Sequence, residues 1–346
     1  MYLGIEIGGT KLQLGVGTGE DIRLVAMERA AVQPRLGAEG ILRQIEQQGR
    51  ALIETYFPRG IGVGFGGPVD PKEGRVVKSH HVEGWTDFPL ARWCAETFGL
   101  PTVVGNDSDL AGLAEARFGA GQGHKVVFYT NCGSGIGGAL VIEGQLYRGG
   151  HGMAVEPGHL RPGLQSERPD QTIEALASGW GITASVQSRL AGAISHPMGT
   201  VPHADPETIR QCLIEREDAE ERDAADLLER CEGKVDALNT KTLAEAAREG
   251  NRLAREAFDR AAKAFGWAIA QVITLLAPNV VVLGGGVSLA GEKIFLSPLR
   301  RHVRTYVFPP LVDSCEIVPA QLGEEVVVHG ALALARGGGK RVFIPT

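Results

Sequence analysis

Residues 2–7 (YLGIEI) and 11–16 (KLQLGV) are strand-length, mostly apolar runs on either side of Gly8-Gly9-Thr10. They predict a tight hairpin, with Gly17–Asp21 turning into a third strand, IRLVAMERA. Glu39–Tyr56 changes the pattern, with Ile41, Leu42, Ile45, Leu52 and Ile53 at helical spacing. A strand at Ile61–Phe65, a Gly-Gly-Pro turn and a polar loop from Asp70 to His81 follow. Leu90–Phe98 is expected to be helical and Leu100–Val104 a fifth strand, ending at the tetrad Asn106-Asp107-Ser108-Asp109 and an Ala/Leu-rich helix. The predicted order is βββ-α-β-α-β-α.

The second half echoes the first. Lys125–Tyr129 reads as a strand, Cys132–Gly138 as a glycine-rich turn and Ala139–Ile142 as a strand. Glu143-Gly144 signals a hairpin into Gln145–Arg148. After a helical insertion over Pro157–Lys263 come the strand Asn279–Leu283 with Gly284–Gly286, a helix, the strand Cys315–Val318 and a last helix Glu325–Arg336. Within the insertion, Asp205-Pro206-Glu207 is a helix start, Glu215–Lys234 a charged amphipathic helix and Ser195–Pro206 a flexible loop. YLGIEIGGTKLQLGVGTG aligns in layout with VVFYTNCGSGIGGALVIEG, and IGVGFGGPVD with VVVLGGGVSL. A duplicated α/β unit whose glycine turns face one another implies two lobes around a cleft.

Composition narrows the partners. At 346 residues the chain exceeds what one core usually supports. Its formal net charge of −6 and the lack of a Lys/Arg stripe argue against nucleic acid or an anionic membrane. The Met1 end runs directly into a strand with no signal-peptide pattern, and no apolar run is long enough to span a bilayer. Five scattered cysteines without CxxC spacing suit reduced thiols in a cytoplasm and give no support to a zinc site.

The 48 glycines concentrate the candidate chemistry. Gly133-x-Gly135-x-x-Gly138 and Gly62-x-Gly64-x-x-Gly67 match the dinucleotide fingerprint in letters, but a strand follows one and Pro68 the other, where that fingerprint needs a helix. Two strand–turn–strand units remain, Gly8-Gly9-Thr10-Lys11 and Gly133-Ser134-Gly135, with a third run at Gly284-Gly285-Gly286. Converging glycine turns present bare backbone N–H groups to an anion such as a phosphate. Glu6 points opposite to Ile5 and Ile7 beside the first turn, and a buried glutamate needs a partner. Asp107 sits where a strand hands over to a helix, which suits either ligand chemistry or an ordinary helix cap by Asp107 or Ser108.

GIEIGGTK, IGVGFGGPVD, VVGNDSDLAGLAE, TNCGSGIGGALVIEGQLYRGG, VEPGH, IEALASG and VVVLGGGVS occur in that order. Together they resemble the ROK family of sugar kinases and repressors, closest to its glucokinase-like members in the actin/hexokinase superfamily. The resemblance implies a duplicated ribonuclease-H-like fold, two lobes with mixed sheets around a central cleft. One lobe would hold residues 1–118 and about 325–346, the other residues 119–324. It also implies ATP and Mg²⁺ as cofactors, a hexose substrate and a homodimer. Gly8–Lys11 and Gly133–Gly135 would hold the triphosphate, Glu6 the metal, and Gly284–Gly286 would lie near the adenosine. Asn106 and Asp107 would bind the sugar beside Gly66, with Asp107 as catalytic base, and Glu156, His159 and Glu174 would hold sugar hydroxyls. The chain departs from the family's pattern in four places. Glu6 stands where Asp is common, Asp109 where Asn is common, and Pro157 lies inside the usual EIGH. Leu160–Thr172 has none of the family's zinc-loop cysteines, so no structural zinc is expected and another hydrogen bond should orient His159. Repressors of the family carry a helix-turn-helix ahead of the kinase-like body, for which a first strand at Tyr2 leaves no room.

Overall fold

The computed structural model describes residues 1–78, 82–168, 170–194, 219–337 and 343–344. The expected loop Ser195–Pro206, the helix start Asp205–Glu207 and the beginning of the Glu215–Lys234 helix lie outside them.

Two five-stranded sheets share one plan. The first runs β3-β2-β1-β4-β7, from β1 (Tyr2–Ile7), β2 (Lys11–Gly17), β3 (Leu24–Ala31), β4 (Ile61–Phe65) and β7 (Thr102–Asn106). The second runs β10-β9-β8-β11-β12, from β8 (Val126–Cys132), β9 (Ile136–Ile142), β10 (Gln145–Tyr147), β11 (Val280–Gly284) and β12 (Glu316–Pro319). In each, the first three strands are antiparallel and the last two parallel. The repeat in sequence is thus a repeat in topology. The polar loop after Gly67 holds a small hairpin, β5 (Val69–Asp70) and β6 (Arg75–Val76). The expected turn Cys132–Gly138 is shorter than its glycines suggest. Gly137 and Gly138 pair with Asn131 and Thr130 inside the β8–β9 ladder, so only Gly133–Gly135 turns. A helix does not directly follow Gly286; a 3-10 turn (Gly286–Ala290) intervenes.

Helices α1 (Gly37–Tyr56), α2 (Leu90–Phe98) and α3 (Asp107–Phe118) belong to the first half by sequence. The second half contributes α4 (Ile173–Ala177), α5 (Gly179–Ile194), α6 (Ala219–Arg230), α7 (Thr240–Glu249), α8 (Arg252–Leu276), α9 (Ser297–Tyr306) and α10 (Val326–Arg336). Long α8 carries an apolar stripe (Phe258, Phe265, Ile269, Ile273) into the core under the second sheet.

The two helices that close each half are exchanged. α3 leaves the first sheet and packs on β8 and β9, whereas α10 leaves the second sheet and packs on β1 and β4. Glycine makes this close packing possible. A Cβ at Gly62 would fall 2.0 Å from the Ala331 carbonyl oxygen, and one at Gly112 2.5 Å from Ala139 Cβ. Where α3 and α10 cross, a Cβ at Gly330 would meet the Leu110 carbonyl oxygen at 2.0 Å. Many of the chain's glycines therefore serve backbone contact between layers rather than ligand turns.

Both chain crossings between the halves meet at one side chain. Glu115 of α3 is fully buried. Its Oε2 accepts from Ala120 N at 2.9 Å, and its Oε1 from Gln321 N at 2.9 Å and Leu322 N at 2.8 Å. A buried carboxylate surrounded by backbone N–H groups is satisfied without a cation.

Candidate active site

β7 ends at Asn106, and the helix cap there is Asn106 itself. Its Oδ1 accepts from Ser108 N at 2.8 Å and Asp109 N at 3.3 Å, while its Nδ2 donates to the Gly67 carbonyl at 3.0 Å. Capping by Asn106 leaves Asp107 as the first residue of α3, with Oδ1 held by Ser108 N at 2.7 Å. The other oxygen, Oδ2, lies beside bare Gly66, where a Cβ would come within 3.4 Å of it. Asp107 thus keeps one oxygen anchored and the other turned toward open backbone. Burial pushes its carboxyl above the ordinary aspartate range, against the pull of the Ser108 and Asn106 hydrogen bonds, and the Asp109 charge adds to the rise.

The first glycine turn places two charged groups near Asp107. Glu6 is 6% exposed, with Oε1 3.2 Å from Lys11 Nζ and Oε2 buried without a hydrogen-bond partner. Burial lifts the Glu6 carboxyl to about 7, Lys11 opposes that, and the charges of Asp107 and Glu324 add to it. The Lys11 ammonium also donates to the Glu324 carbonyl at 3.1 Å. Gly8 N donates to the Lys11 carbonyl at 2.9 Å, closing the turn, and leaves Gly9 and Thr10 at its tip. An unsatisfied buried carboxylate oxygen beside a lysine and a bare turn is chemistry suited to a hard divalent cation.

The second turn is braced from the helical insertion. Gly133 N donates to the Gly135 carbonyl at 2.9 Å, and the Gly133 carbonyl accepts from Gly179 N at 2.7 Å. Ser134 stands exposed at the tip. Glu174 Oε2 accepts from Ile136 N at 2.8 Å and would lie 2.6 Å from a Cβ at Gly135, so glycine is required there. Gly133, Ser134, Trp180, Asn239, Arg248 and Gly286 help line a cavity of about 1080 Å³. Gly284 is buried at the end of β11, against the Tyr129 hydroxyl, and only Gly285 and Gly286 open outward. Gly285 has φ +86°, and a Cβ there would fall 2.4 Å from the Cys132 backbone, so no other residue fits.

Glu156 and His159 flank the turn Pro157–His159, joined by a bond from His159 N to the Glu156 carbonyl at 3.2 Å. Burial raises the Glu156 carboxyl, His159 lowers it, and Asp109, Asp107 and Glu174 raise it further. Those charges belong to elements of both halves and meet here. The expected second hydrogen bond to His159 is not found: among the described residues none holds its ring, which is exposed beside Glu156. Two residues stand out beyond the motif reading, Glu115 and Arg148. Glu115 is marked by its burial and its three backbone donors, and Arg148 by its ion pair with Asp109 at 3.1 Å. Among the described residues no helix is long and apolar enough to cross a membrane.

The chain resembles known proteins over nearly its whole length. The chain is 31% identical to a ROK family glucokinase from Streptomyces griseus, solved with glucose and AMPPNP, over 97% of this chain and 99% of that one, with a TM-score of 0.76. It is 28% identical to a glucokinase of Thermotoga maritima, across 96% of both chains. It is also 25% identical to a putative xylose repressor of a Caldicellulosiruptor species, over 96% of this chain and 77% of the other. The two sheets and their order are those of the ROK and actin/hexokinase structures. The ROK family model matches residues 2–337, and the chain belongs to the ROK family.

Proposed function

We propose that the protein transfers the γ-phosphoryl group of ATP to a hydroxyl of a hexose, foremost the 6-hydroxyl of glucose. The observation that carries this reading is the Asp107 carboxylate, anchored through Oδ1 and presenting Oδ2 beside Gly66, with Glu6, Lys11, Glu156 and His159 around it. Phosphoryl transfer asks the protein mainly for in-line positioning and charge neutralisation. Asp107 Oδ2 would accept a hydrogen bond from the attacking hydroxyl and take its proton as the bond to phosphorus forms. Burial raises its pKa, which makes its ionised form a stronger base than a solvated aspartate. Asn106, Glu156, His159 and Glu174 would hold the remaining hydroxyls, so that analogues lacking them would leave these polar groups without a partner in the bound complex. Glu174, already bonded to Ile136 N, would link sugar contact to the shape of the second phosphate turn.

The turns at Gly8–Lys11 and Gly133–Gly135 would cradle the triphosphate, with the adenosine toward Gly285 and Gly286. Glu6 would hold Mg²⁺ through its unpartnered Oε2, and the ion, when bound, supplies charge neutralisation at the phosphates. The proposal includes no structural zinc, because Leu160–Thr172 offers no thiolate. A homodimer and a cytoplasmic setting complete the expectation and are open to sedimentation and fractionation.

A coupled assay of ATP turnover over glucose, mannose, fructose and N-acetylhexosamines, with and without Mg²⁺, tests the reading. Glucose is expected to give the highest kcat/KM, and turnover is expected to need the metal. Measurable sugar binding with no phosphorylation of any sugar would overturn it in favour of a non-catalytic sugar-binding protein.

A further inference from the structure

Asp109 has no part in the chemistry above, yet it is 9% exposed and stands two residues from Asp107. Its counter-ion comes from the other half of the chain. Arg148, just after β10, donates from Nε to Asp109 Oδ2 at 3.1 Å, the two side chains being 23% and 12% exposed. The guanidinium fits because residue 105 of β7 is glycine, where a Cβ would come within 3.3 Å of Arg148 Nη2. That Nη2 is buried and has no hydrogen-bond acceptor. The Arg148 carbonyl in turn accepts from Ala154 N at 3.2 Å and fixes the start of the segment that carries Glu156. A buried donor left unpaired is unfavourable, and a largely buried ion pair gains little stability against apolar packing. The pair therefore points to a role other than holding the fold.

We propose that Arg148 is a positioning residue: its guanidinium neutralises Asp109, so that Asp107 and Glu156 face a compensated neighbour rather than one more buried carboxylate. The inference rests on Asp107 acting as the base of the proposed kinase. Among the described residues, titratable groups from several elements surround Asp107. Asp109 faces it from α3, Glu6 with Lys11 from the first hairpin, Glu156 with His159 from the turn after Gly152, and Tyr129 from β8. Most of these are acidic, and Asp109 raises the carboxyls of both Asp107 and Glu156, while Arg148 pulls Asp109 itself down. Arg148 is the cation bonded to this carboxylate group from the second half.

A four-protein cycle tests this: the wild type, Arg148→Met, Asp109→Asn and the double variant. Two readouts are taken on each, the pH profile of kcat/KM for sugar phosphorylation and the ¹³C-carboxyl NMR titration of Asp107, assigned with Asp107→Asn. Arg148→Met is expected to move the acid limb and the Asp107 titration up by about one unit, a tenfold loss of ionised base below the limb. Asp109→Asn moves both down, because the guanidinium then acts on Asp107 uncompensated. The double variant returns close to the wild type, and Arg148→Lys, which keeps the cation, stays with the wild type. A folded Arg148→Met with an unmoved titration, or a double variant that stays displaced, overturns the proposal. If Arg148→Met does not fold, the opposite shift in Asp109→Asn decides it. A wild type without any sugar phosphorylation would sink the kinase reading, while the NMR arm still rules on Arg148.

Discussion

The ends of β7 and β12 occupy equivalent places in the two halves and do opposite jobs. At the end of β7, Asn106 caps the following helix through its side chain and leaves Asp107 Oδ2 beside bare Gly66. At the end of β12 there is no such pair. The backbone N–H groups of Gln321 and Leu322 turn inward and are taken up by Glu115, a carboxylate lent by α3. One strand end thus displays a carboxylate and the other consumes one. Both come from the same twelve-residue helix, Asp107 at its first position and Glu115 two turns on. The two halves repeat one plan, and only the β7 end carries the Asn-Asp pair on which the proposed chemistry rests.

Several experiments would break or sharpen that contrast. The largest effect is expected at the chemical end: Asp107→Asn should lower kcat by about 10²–10⁴-fold while sugar binding by calorimetry persists. Near-full turnover in that variant would remove Asp107 from the role of base. Next, Glu115→Ala should cost roughly 3–5 kcal/mol of stability by emptying a fully buried position and leaving three backbone N–H groups without their acceptor. Denaturant melts measure it, and the sugar panel ranking should be unaltered at low temperature. Gly285→Ala should follow, at about 1–3 kcal/mol from its left-handed backbone and the contact with Cys132, visible as weaker ADP binding. The smallest effect concerns pH. Since Asp107 must be ionised and burial raises its pKa, kcat/KM should fall on acidification with a limb above the ordinary aspartate value of about 3.9. A limb at or below that value would show that Asp107 is better solvated than its surroundings imply.

The strands and paired glycine turns were readable because period and punctuation are local properties. Ile61–Phe65 and Leu90–Phe98 match the structure residue for residue. The turn at Gly133 was overextended, since Gly137 and Gly138 look like turn residues but serve as small ladder positions; a Cβ at Gly138 would meet Pro157 at 3.0 Å. Asp107 could be singled out as a strand-end carboxylate, but not the fact that its neighbour Asn106 does the capping, which depends on side-chain geometry at a single peptide. Glu115 and Arg148 were illegible for a different reason. Their partners lie 206 and 39 positions away, and a helix acid or a loop arginine carries no local sign of burial.

The exchange of α3 and α10 also sets the order in which the molecule can be completed. All but one strand of the first sheet is written by residue 65, yet the helix that covers its inner face is Val326–Arg336. On a ribosome, those strands must wait for nearly the whole chain before that face is closed. Their apolar and glycine-lined surface stays open through most of synthesis, when non-native pairing competes. Variants that weaken α10, which leave Asp107 and its neighbours untouched, should therefore appear first as lost yield from cells and only later as lost turnover.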